Sequence, residues 1–312
     1  MTTDFLADLS TAARAAADAS APSTVAIGRH GRGTGFVVDT DRVLTNAHNL
    51  RDRTTQVTFA DGRTAQGRVV GADPDRDLVV LAVETADAPA LEWSDRVPQV
   101  GDPVFAGARG TRGHRLTFGL TTSADRSFRG PRGRRVKGAL EHTAPLARGS
   151  SGGPLLDADG RLTGINTARL GEGFYLAQPA DADLRGRVDR LAAGEVLGGR
   201  RLGIAIVGPD ETTRLRRRVG LPDQDGLLVR TVADGSPAAE AGLGEGDLIT
   251  AIDGTSVRDV DDVWDALDAG GETVEVTVLR GTEPRTVTVS FAEPTEVDTD
   301  VDTDVDSDDH DD

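Results

Sequence analysis

The chain has 312 residues, 37% of them hydrophobic, and a formal net charge of −17. This length predicts two domains or three, and the absence of any uninterrupted run of about 18 apolar residues excludes a membrane-spanning helix. The absence of cysteine excludes disulfides, thiolate catalysis and cysteine-based zinc sites, and the negative charge disfavours a nucleic-acid partner.

The predicted elements begin with a helical or flexible segment over residues 1–21. Its Ala-rich stretch favours an amphipathic helix whose apolar side carries Phe5, Leu6 and Leu9. The segment lacks the basic start and apolar core of a secretion signal, which favours a cytoplasmic location. Residues 22–180 are expected to form the first domain, because short runs rich in Val, Ile and Thr alternate there with Gly, Asp and Pro, a pattern typical of a mainly β fold.

Residues 181–198 predict a linker helix, with apolar side chains at helical spacing at Leu184, Val188 and Leu191. A second, α+β domain is expected over 199–293, because strand-like runs flank an amphipathic helix at 259–268. Residues 294–312 repeat Val-Asp-Thr-Asp, hold ten acids without a Lys or Arg, and are expected to be disordered. An EF-hand-type calcium loop is excluded there, since neither a glycine turn nor a distal Glu is present.

Lys137 is the only lysine among 35 basic residues. This acid-rich, lysine-poor composition resembles that of proteins from salt-loving archaea, and a GC-rich genome that favours arginine codons is the other explanation. Six bases and no acid fall in residues 126–137. One hypothesis is that the acidic tail docks on this stretch or on residues 214–218 at low salt and is released at high salt; the other is that both segments are independently solvated.

Three short segments carry candidate chemistry. His48 follows the apolar run VLTNA, Asp77 precedes the run LVVLAV, and Ser151 lies in the glycine-rich turn GSSGGP. A serine hydroxyl becomes a nucleophile when a base takes its proton, and a carboxylate fixes the tautomer of that base. The glycines allow the N–H groups of Gly149 and Ser151 to converge on one point, where they would stabilise an oxyanion.

Each of these segments is common by itself, since a glycine-rich turn is more often structural and a strand-end His is more often a half-buried polar residue. The order His, Asp, Ser, with separations of 29 and 74 residues inside the β-rich part, is more specific. The remaining histidines lack such a context, so His30, His114 and His310 are expected at the surface. Gly33-Thr34-Gly35 is a weak phosphate-loop candidate, because no Gly-Lys-Thr/Ser follows.

The blocks TGFVVD, RVLTNAH, DPDRDLVVL and GSSGGPLLDADGRLTGINTA resemble, in order, those of the trypsin-like serine proteases, and specifically of the HtrA (Deg) family. The resemblance implies a chymotrypsin-like double β-barrel in which His48 is the general base, Asp77 its orienting carboxylate and Ser151 the nucleophile. Ser150 replaces the usual Asn, and the family's Asp before the serine is missing from the segment beginning at His142. The missing Asp concerns the contacts that position the activation loop.

Substrate-binding residues follow from the same resemblance. Leu146 and Ile165 are expected to line a primary pocket for small aliphatic side chains, and Asn166, Thr167 and Ala168 to offer a strand edge to an extended substrate. His142 has two interpretations: a reader of acidic side chains in that pocket or, more commonly for such a residue, a solvated loop histidine.

The segment RLGI at 201–204 and the run SPAAEAGLGEGDLITAIDGTSV at 236–257 resemble a PDZ domain of the HtrA type. Such a domain binds a peptide C-terminus by strand addition. The carboxylate cradle is expected at Leu202, Gly203 and Ile204, and the opposite wall at Val260, Val263 and Leu267. An apolar helical stripe is also typical of a core, so part of that wall is expected to face inward.

These observations favour an ATP-independent serine endopeptidase that cleaves unfolded or damaged proteins and whose PDZ domain captures hydrophobic C-termini. Two alternatives remain: a chaperone or peptide-binding module on the same fold, and a hydrolase of small esters, which would not need a PDZ domain. No cofactor and no metal are expected. The resemblance also implies a homotrimer held by aromatic residues near the N-terminus, where this chain offers only Phe5.

Overall fold

The computed structural model describes residues 4–110, 112–171 and 173–291. The structure is mainly β, and the chain divides into two units, of which the first extends to Leu197 and the second begins at Gly198. None of the described helices is long and apolar enough to cross a membrane. The acidic stretch 294–312, predicted to be disordered, lies outside the described residues, as does His310.

The first six strands close into an antiparallel barrel in the order β1-β2-β3-β6-β5-β4. They are β1 (Thr24–Ile27), β2 (Gly33–Asp39), β3 (Arg42–Asn46), β4 (Thr54–Thr58), β5 (Thr64–Asp73) and β6 (Leu78–Ala82). Their β-branched and leucine side chains fill the barrel, where Val25, Ile27, Val43 and Leu81 have no exposed surface. Because the barrel closes, its strands leave no long unpaired edge.

The next six strands form a second closed antiparallel barrel in the order β10-β11-β12-β9-β8-β7. They are β7 (Pro103–Gly110), β8 (Gly113–Arg129), β9 (Arg135–His142), β10 (Pro154–Leu156), β11 (Leu162–Gly171) and β12 (Phe174–Pro179). One core cluster joins Phe36 and Leu44 of the first barrel to Phe105 and Leu156 of the second. Burial of such side chains stabilises by about 1.5–3 kcal/mol each, which holds the two barrels together.

Helix α1 (Phe5–Ser23) packs on the outside of these barrels. Its predicted apolar side is wrong in part, because Leu6 is 71% exposed. The helix instead contacts the core through Leu9 and small residues that include the fully buried Ala16, since alanine allows the helix backbone to approach closely. His114, predicted at the surface, is half-buried. Its Nε2 lies 3.1 Å from the hydroxyl of Ser20, near the end of α1.

Helix α2 (Ala182–Ala192) confirms the predicted spacing, because Leu184, Val188 and Leu191 are all buried. It is not a free linker, however, since these side chains belong to the core cluster shared by the two barrels. After the helix, the Leu197 N–H donates to the carbonyl of Ala72 at 2.7 Å. The predicted linker is therefore part of the first unit.

The basic stretch 126–137 forms a hairpin, because β8 continues to Arg129 and β9 starts at Arg135. Its arginines already have partners: Arg126 forms an ion pair with Glu141 at 2.8 Å, and Arg134 one with Asp75 at 3.2 Å. The second stretch proposed to receive the tail is similar, since Arg217 pairs with Asp223. These pairs leave less positive charge for an acidic tail than the composition suggests.

The second unit is a small antiparallel sheet, ordered β13-β14-β15-β17-β18 with β16 paired to β15, together with three helices. Its elements are β13 (Ile204–Val207), α3 (Pro209–Arg218), β14 (Leu227–Val232), α4 (Pro237–Glu240), β15 (Asp247–Ile252), β16 (Thr255–Ser256), α5 (Val260–Ala269), β17 (Thr273–Arg280) and β18 (Glu283–Ser290). Helix α5 matches the predicted helix within one residue and begins with a capping box on Asp259. Strand β13 lies at the edge of the sheet, where an added strand can pair with it.

Candidate active site

Asp77 is held in an uncommon backbone conformation next to His48. It precedes β6 with φ +59° and is 3% exposed. Its Oδ2 accepts from His48 Nδ1 at 2.5 Å, and its Oδ1 accepts from the His48 backbone N–H at 2.9 Å. The Asp77 carbonyl accepts from the Ala47 N–H and from Asn46 Nδ2. Three hydrogen bonds therefore fix the short helical turn Ala47–Asn49 to the aspartate, and a fourth fixes Asn46, which precedes the turn.

This geometry sets the protonation of the imidazole. An ionised carboxylate only accepts, so Nδ1 carries the proton and Nε2 presents a lone pair. Burial is the largest influence on the pKa of His48 and lowers it, but the hydrogen bond and the charge of Asp77 outweigh burial and leave the pKa above its ordinary value. His48 is thus a base with a fixed tautomer, and its side chain remains 36% exposed.

The turn that contains Ser151 lies directly against the strands that lead to His48. The Ser151 carbonyl accepts from the Thr34 N–H at 3.0 Å and from Asn49 Nδ2 at 2.9 Å. Gly152 has φ +80°, and a Cβ there would lie 2.3 Å from the Thr34 carbonyl oxygen and 2.9 Å from the Asn46 nitrogen. Only glycine fits this contact, and the turn therefore meets the first barrel next to the histidine.

Two N–H groups of this turn are free of intrachain acceptors. Ser150 donates to the Ala147 carbonyl, Gly152 to Asn166 and Gly153 to Ser150. Within the described residues, the N–H groups of Gly149 and Ser151 have no such acceptor. These are the two donors that the sequence predicts for an oxyanion.

The hydroxyl of Ser151 makes no hydrogen bond to His48 in the part of the chain that the structure describes. Catalytic hydrogen bonds are often long before a substrate binds, so an active serine protease can show this arrangement. The structure brings the turn of Ser151 and the His48–Asp77 pair together at one seam between the barrels.

Asn166 anchors the turn from the second barrel. Its N–H and carbonyl pair with the carbonyl of Gly153 and the N–H of Gly152, and its side-chain nitrogen donates to the carbonyls of Gly153 and Pro154. Its predicted role at the substrate's strand edge is therefore wrong, because the turn already occupies its backbone. The edge beyond the turn starts at Thr167 and Ala168, which remain candidates.

Two further pocket predictions meet buried side chains. Ile165 is fully buried in the shared core cluster, so it does not line an open pocket. Leu146 is partly buried against the cluster that includes Leu155 and Ala177, and it stays a candidate. The pattern could not separate these two residues, because both are apolar and lie near the turn.

His142 corrects the expectation of a solvated loop histidine. It ends β9, is fully buried, stacks on Tyr175 and has Nε2 3.0 Å from Asn166 Oδ1. Since the amide nitrogen of Asn166 already donates to two carbonyls, Oδ1 faces His142 and Nε2–H is the donor. Burial lowers the pKa of His142 to about 4, against the opposing effect of this hydrogen bond, so the ring is neutral at neutral pH.

The second barrel also supports the segment that carries Asp77. Gln178 Nε2 donates to the Arg76 carbonyl at 2.7 Å, and Arg134 of the basic hairpin faces the buried carboxylate of Asp75. A Cβ at Gly130 would lie 2.2 Å from the Asp75 carbonyl oxygen, so the hairpin backbone touches this segment. Sequence reasoning missed these supports, because nothing in a strand glutamine or a basic run indicates a distant carbonyl or carboxylate.

The candidate peptide site of the second unit is supported in part. The carbonyls of Leu202 and Gly203 accept from Ala238 and Ala233, while within the described residues their N–H groups have no intrachain acceptor. Gly203 has φ +76° and touches Ser236, which requires glycine. These free N–H groups precede the edge strand that starts at Ile204.

The predicted opposite wall is largely core. Val263 and Leu267 of α5 are 5% and 1% exposed, and both belong to the hydrophobic cluster of the second unit. Val260 is only partly buried, so it is the residue of the three that remains accessible to a peptide. The helical stripe is thus mainly a packing surface.

Comparisons with known proteins agree with both units. Residues 33–165 match the model of the trypsin-like peptidase domain family, and residues 228–280 match that of the PDZ domain. The putative serine protease HhoB of Synechocystis sp. is 33% identical over 83% of this chain and 66% of its own length. The putative serine protease HhoA of the same organism is 32% identical over 84% of this chain and 71% of its own length.

Among solved structures, that of the serine endoprotease from Yersinia pestis aligns with 89% of this chain and 96% of its own chain, at 26% identity and a TM-score of 0.61. The two-barrel fold with a PDZ unit therefore recurs in a named endoprotease. The chain belongs to the HtrA-type, trypsin-like serine proteases.

Proposed function

We propose that this protein is a serine endopeptidase that cleaves unfolded or damaged polypeptides without ATP. The observation that carries the proposal is the His48–Asp77 pair placed beside the turn of Ser151. The two unused N–H groups of that turn add a ready oxyanion site. The strand edge that starts at Thr167 can pair with an extended chain, which an unfolded polypeptide supplies.

The proposed reaction uses these groups in sequence. The Nε2 lone pair of His48 takes the proton of the Ser151 hydroxyl as its oxygen attacks the scissile carbonyl carbon. The oxyanion accepts hydrogen bonds from the N–H groups of Gly149 and Ser151, while Asp77 stabilises the imidazolium. His48 then donates its proton to the leaving amine, and water repeats these steps on the acyl-enzyme to regenerate the serine.

Casein hydrolysis tests the assignment, with a neighbouring serine as matched control. In Ser151→Ala, casein hydrolysis should fall to the rate measured without enzyme. Ser150→Ala should retain it, because the contribution of residue 150 is limited to its backbone and buried packing. Loss of activity in Ser150→Ala with activity kept in Ser151→Ala would refute the assignment of the nucleophile.

A second function, as a chaperone with little turnover, is favoured by one observation: the Ser151 hydroxyl is not hydrogen-bonded to His48 in the described chain. A chaperone should suppress aggregation of a denatured client equally well as wild type and as Ser151→Ala. Casein should then stay intact with both proteins at every salt concentration. This outcome would replace the endopeptidase proposal.

For the second unit we propose capture of hydrophobic peptide C-termini. The free N–H groups of Leu202 and Gly203 would hold the terminal carboxylate, and the peptide would pair with β13 as an added strand. A peptide with a free carboxylate should bind, and the same peptide with an amidated end should not. The homotrimer, the cytoplasmic location and the salt-loving origin stay predictions from the sequence.

A further inference from the structure

A basic groove adjoins the turn of Ser151 in the first unit. It consists of two contiguous cavities of about 550 and 530 Å³ that share His30 and Arg32. One cavity extends from the β1–β2 connection to Asn49 and Arg51, and the other reaches Gly149 and Ser150. The groove therefore extends from the residue after His48 to Gly149, one of the two oxyanion donors.

Positive charge dominates the walls of this groove. Its six exposed arginines are Arg29, Arg32, Arg51, Arg112, Arg115 and Arg148. Within the described residues none of these six guanidinium groups has an ion-pair or hydrogen-bond partner, and Asp52 is the only acid in either lining. In a chain of net charge −17 this is a local reversal of sign.

Two of these arginines, Arg32 and Arg51, line the same cavity and are close enough to repel one another. Partial burial and, after it, the charge of Arg51 lower the pKa of Arg32, while Asp52 acts in the opposite direction. Positive charges that outnumber the nearby negative charges are unfavourable in the free protein, and an anionic ligand reduces that cost. Arginine is suited to this purpose because its planar fork binds carboxylates in a bidentate manner.

The position of the groove identifies which part of a substrate would enter it. Gly149 packs against the β1–β2 connection: a Cβ at residue 149 would lie 2.7 Å from the Gly31 carbonyl oxygen. Residues before the scissile bond are expected along the free edge from Thr167, on the β11 side of the turn. The leaving-group side of the chain then continues past Gly149 into the basic groove.

We propose that this groove binds acidic residues of the substrate that follow the scissile bond, so that the enzyme selects polypeptides with Asp or Glu on the leaving-group side. This proposal rests on the endopeptidase function proposed above. It adds a charge preference to the cleavage site, on the side opposite the apolar pocket. Exposed ion pairs are individually weak, and each should change kcat/KM by about two- to five-fold.

The test uses three quenched fluorescent peptides that share one sequence up to the scissile bond. The second and third residues after that bond are Asp-Asp, Asn-Asn or Lys-Lys. At low salt, wild type should cleave the Asp-Asp peptide fastest and the Lys-Lys peptide slowest. In about 1 M NaCl the Debye length falls to about 3 Å, and the three kcat/KM values should converge.

The double variant Arg32→Gln, Arg51→Gln should lose most of the Asp-Asp preference and retain its rate on the Asn-Asn peptide. Lys137→Gln removes one exposed positive charge from β9, outside the groove, and should keep the preference.

Equal kcat/KM for the three peptides in wild type, or a preference that survives in the double variant, would overturn the proposal while leaving the endopeptidase intact. Failure to cleave any peptide would instead refute the endopeptidase, and the charge preference with it. Displacement of the Asp-Asp peptide by duplex DNA, with no charge preference in cleavage, would assign the groove to nucleic acid and also overturn the proposal.

Discussion

The contact of Gly152 with the first barrel can be tested by a single methyl group. Gly152→Ala places a Cβ 2.3 Å from the Thr34 carbonyl oxygen and 2.5 Å from the Thr45 hydroxyl, in a backbone with φ +80°. The left-handed conformation costs about 1–2 kcal/mol for a residue with a Cβ. The overlap with a packed strand costs about 1–3 kcal/mol more. The variant should therefore lose about 2–5 kcal/mol of unfolding free energy, or move the turn away from β2.

Gly62→Ala is the matched control. Gly62 has φ +85° and no atom within 4 Å of its Cβ position, so only the conformational cost of about 1–2 kcal/mol applies. Urea unfolding gives the stability of both variants, and labelling with a fluorophosphonate reports the serine. We expect slow labelling of Gly152→Ala and a normal rate for Gly62→Ala. Equal stability losses and equal labelling rates would refute the close approach of the turn to the first barrel.

Three further predictions concern charged groups. Only the neutral imidazole accepts the serine proton, and Asp77 raises the pKa of His48, so kcat/KM for a neutral peptide should fall with decreasing pH around a midpoint above 6.5. Asp77→Asn should lower that midpoint and reduce kcat by about 10⁴-fold. Arg134→Gln leaves its buried carboxylate partner without the opposing charge and should cost up to about 3–5 kcal/mol in urea unfolding, with a lower kcat and an unchanged KM. In the second unit burial raises the pKa of Asp247, but hydrogen bonds, chiefly from Arg280, hold that pKa below 3.8. The stabilisation of the folded unit by the ionised carboxylate is therefore present above pH 3.8 and is lost as the pH falls further. Arg280→Gln should weaken this acid-dependent loss of stability in pH-jump unfolding, and an unchanged pH dependence would contradict the coupling.

The sequence predicted the fold well because local patterns were consistent with it. The alternating runs and glycine turns indicated a mainly β first domain, and the family resemblance implied its two barrels. The order of the His, Asp and Ser blocks indicated which residues should meet. The spacing on α2 also predicted which of its side chains are buried. On α5 the spacing predicted the helix, but not which members of its apolar stripe face the core. These signals are local, and a short run of residues is enough to show them.

The failures concern which way a polar or apolar side chain turns. His142 and Asn166 are polar residues near a turn, and the pattern could not show that they form a buried hydrogen-bonded pair behind it. Ile165 faces the core because β11 is covered on that side, and strand position alone does not reveal the face. The groove of arginines was also missed, since its walls come from segments that are far apart along the chain.

The central claim is that His48 activates Ser151 across the seam between the barrels. Mass spectrometry of the protein after fluorophosphonate labelling tests it most directly. We predict one modified residue, Ser151, in wild type, and labelling slowed by several orders of magnitude in His48→Ala. Modification at another residue, or equal labelling of wild type and His48→Ala, would contradict the claim.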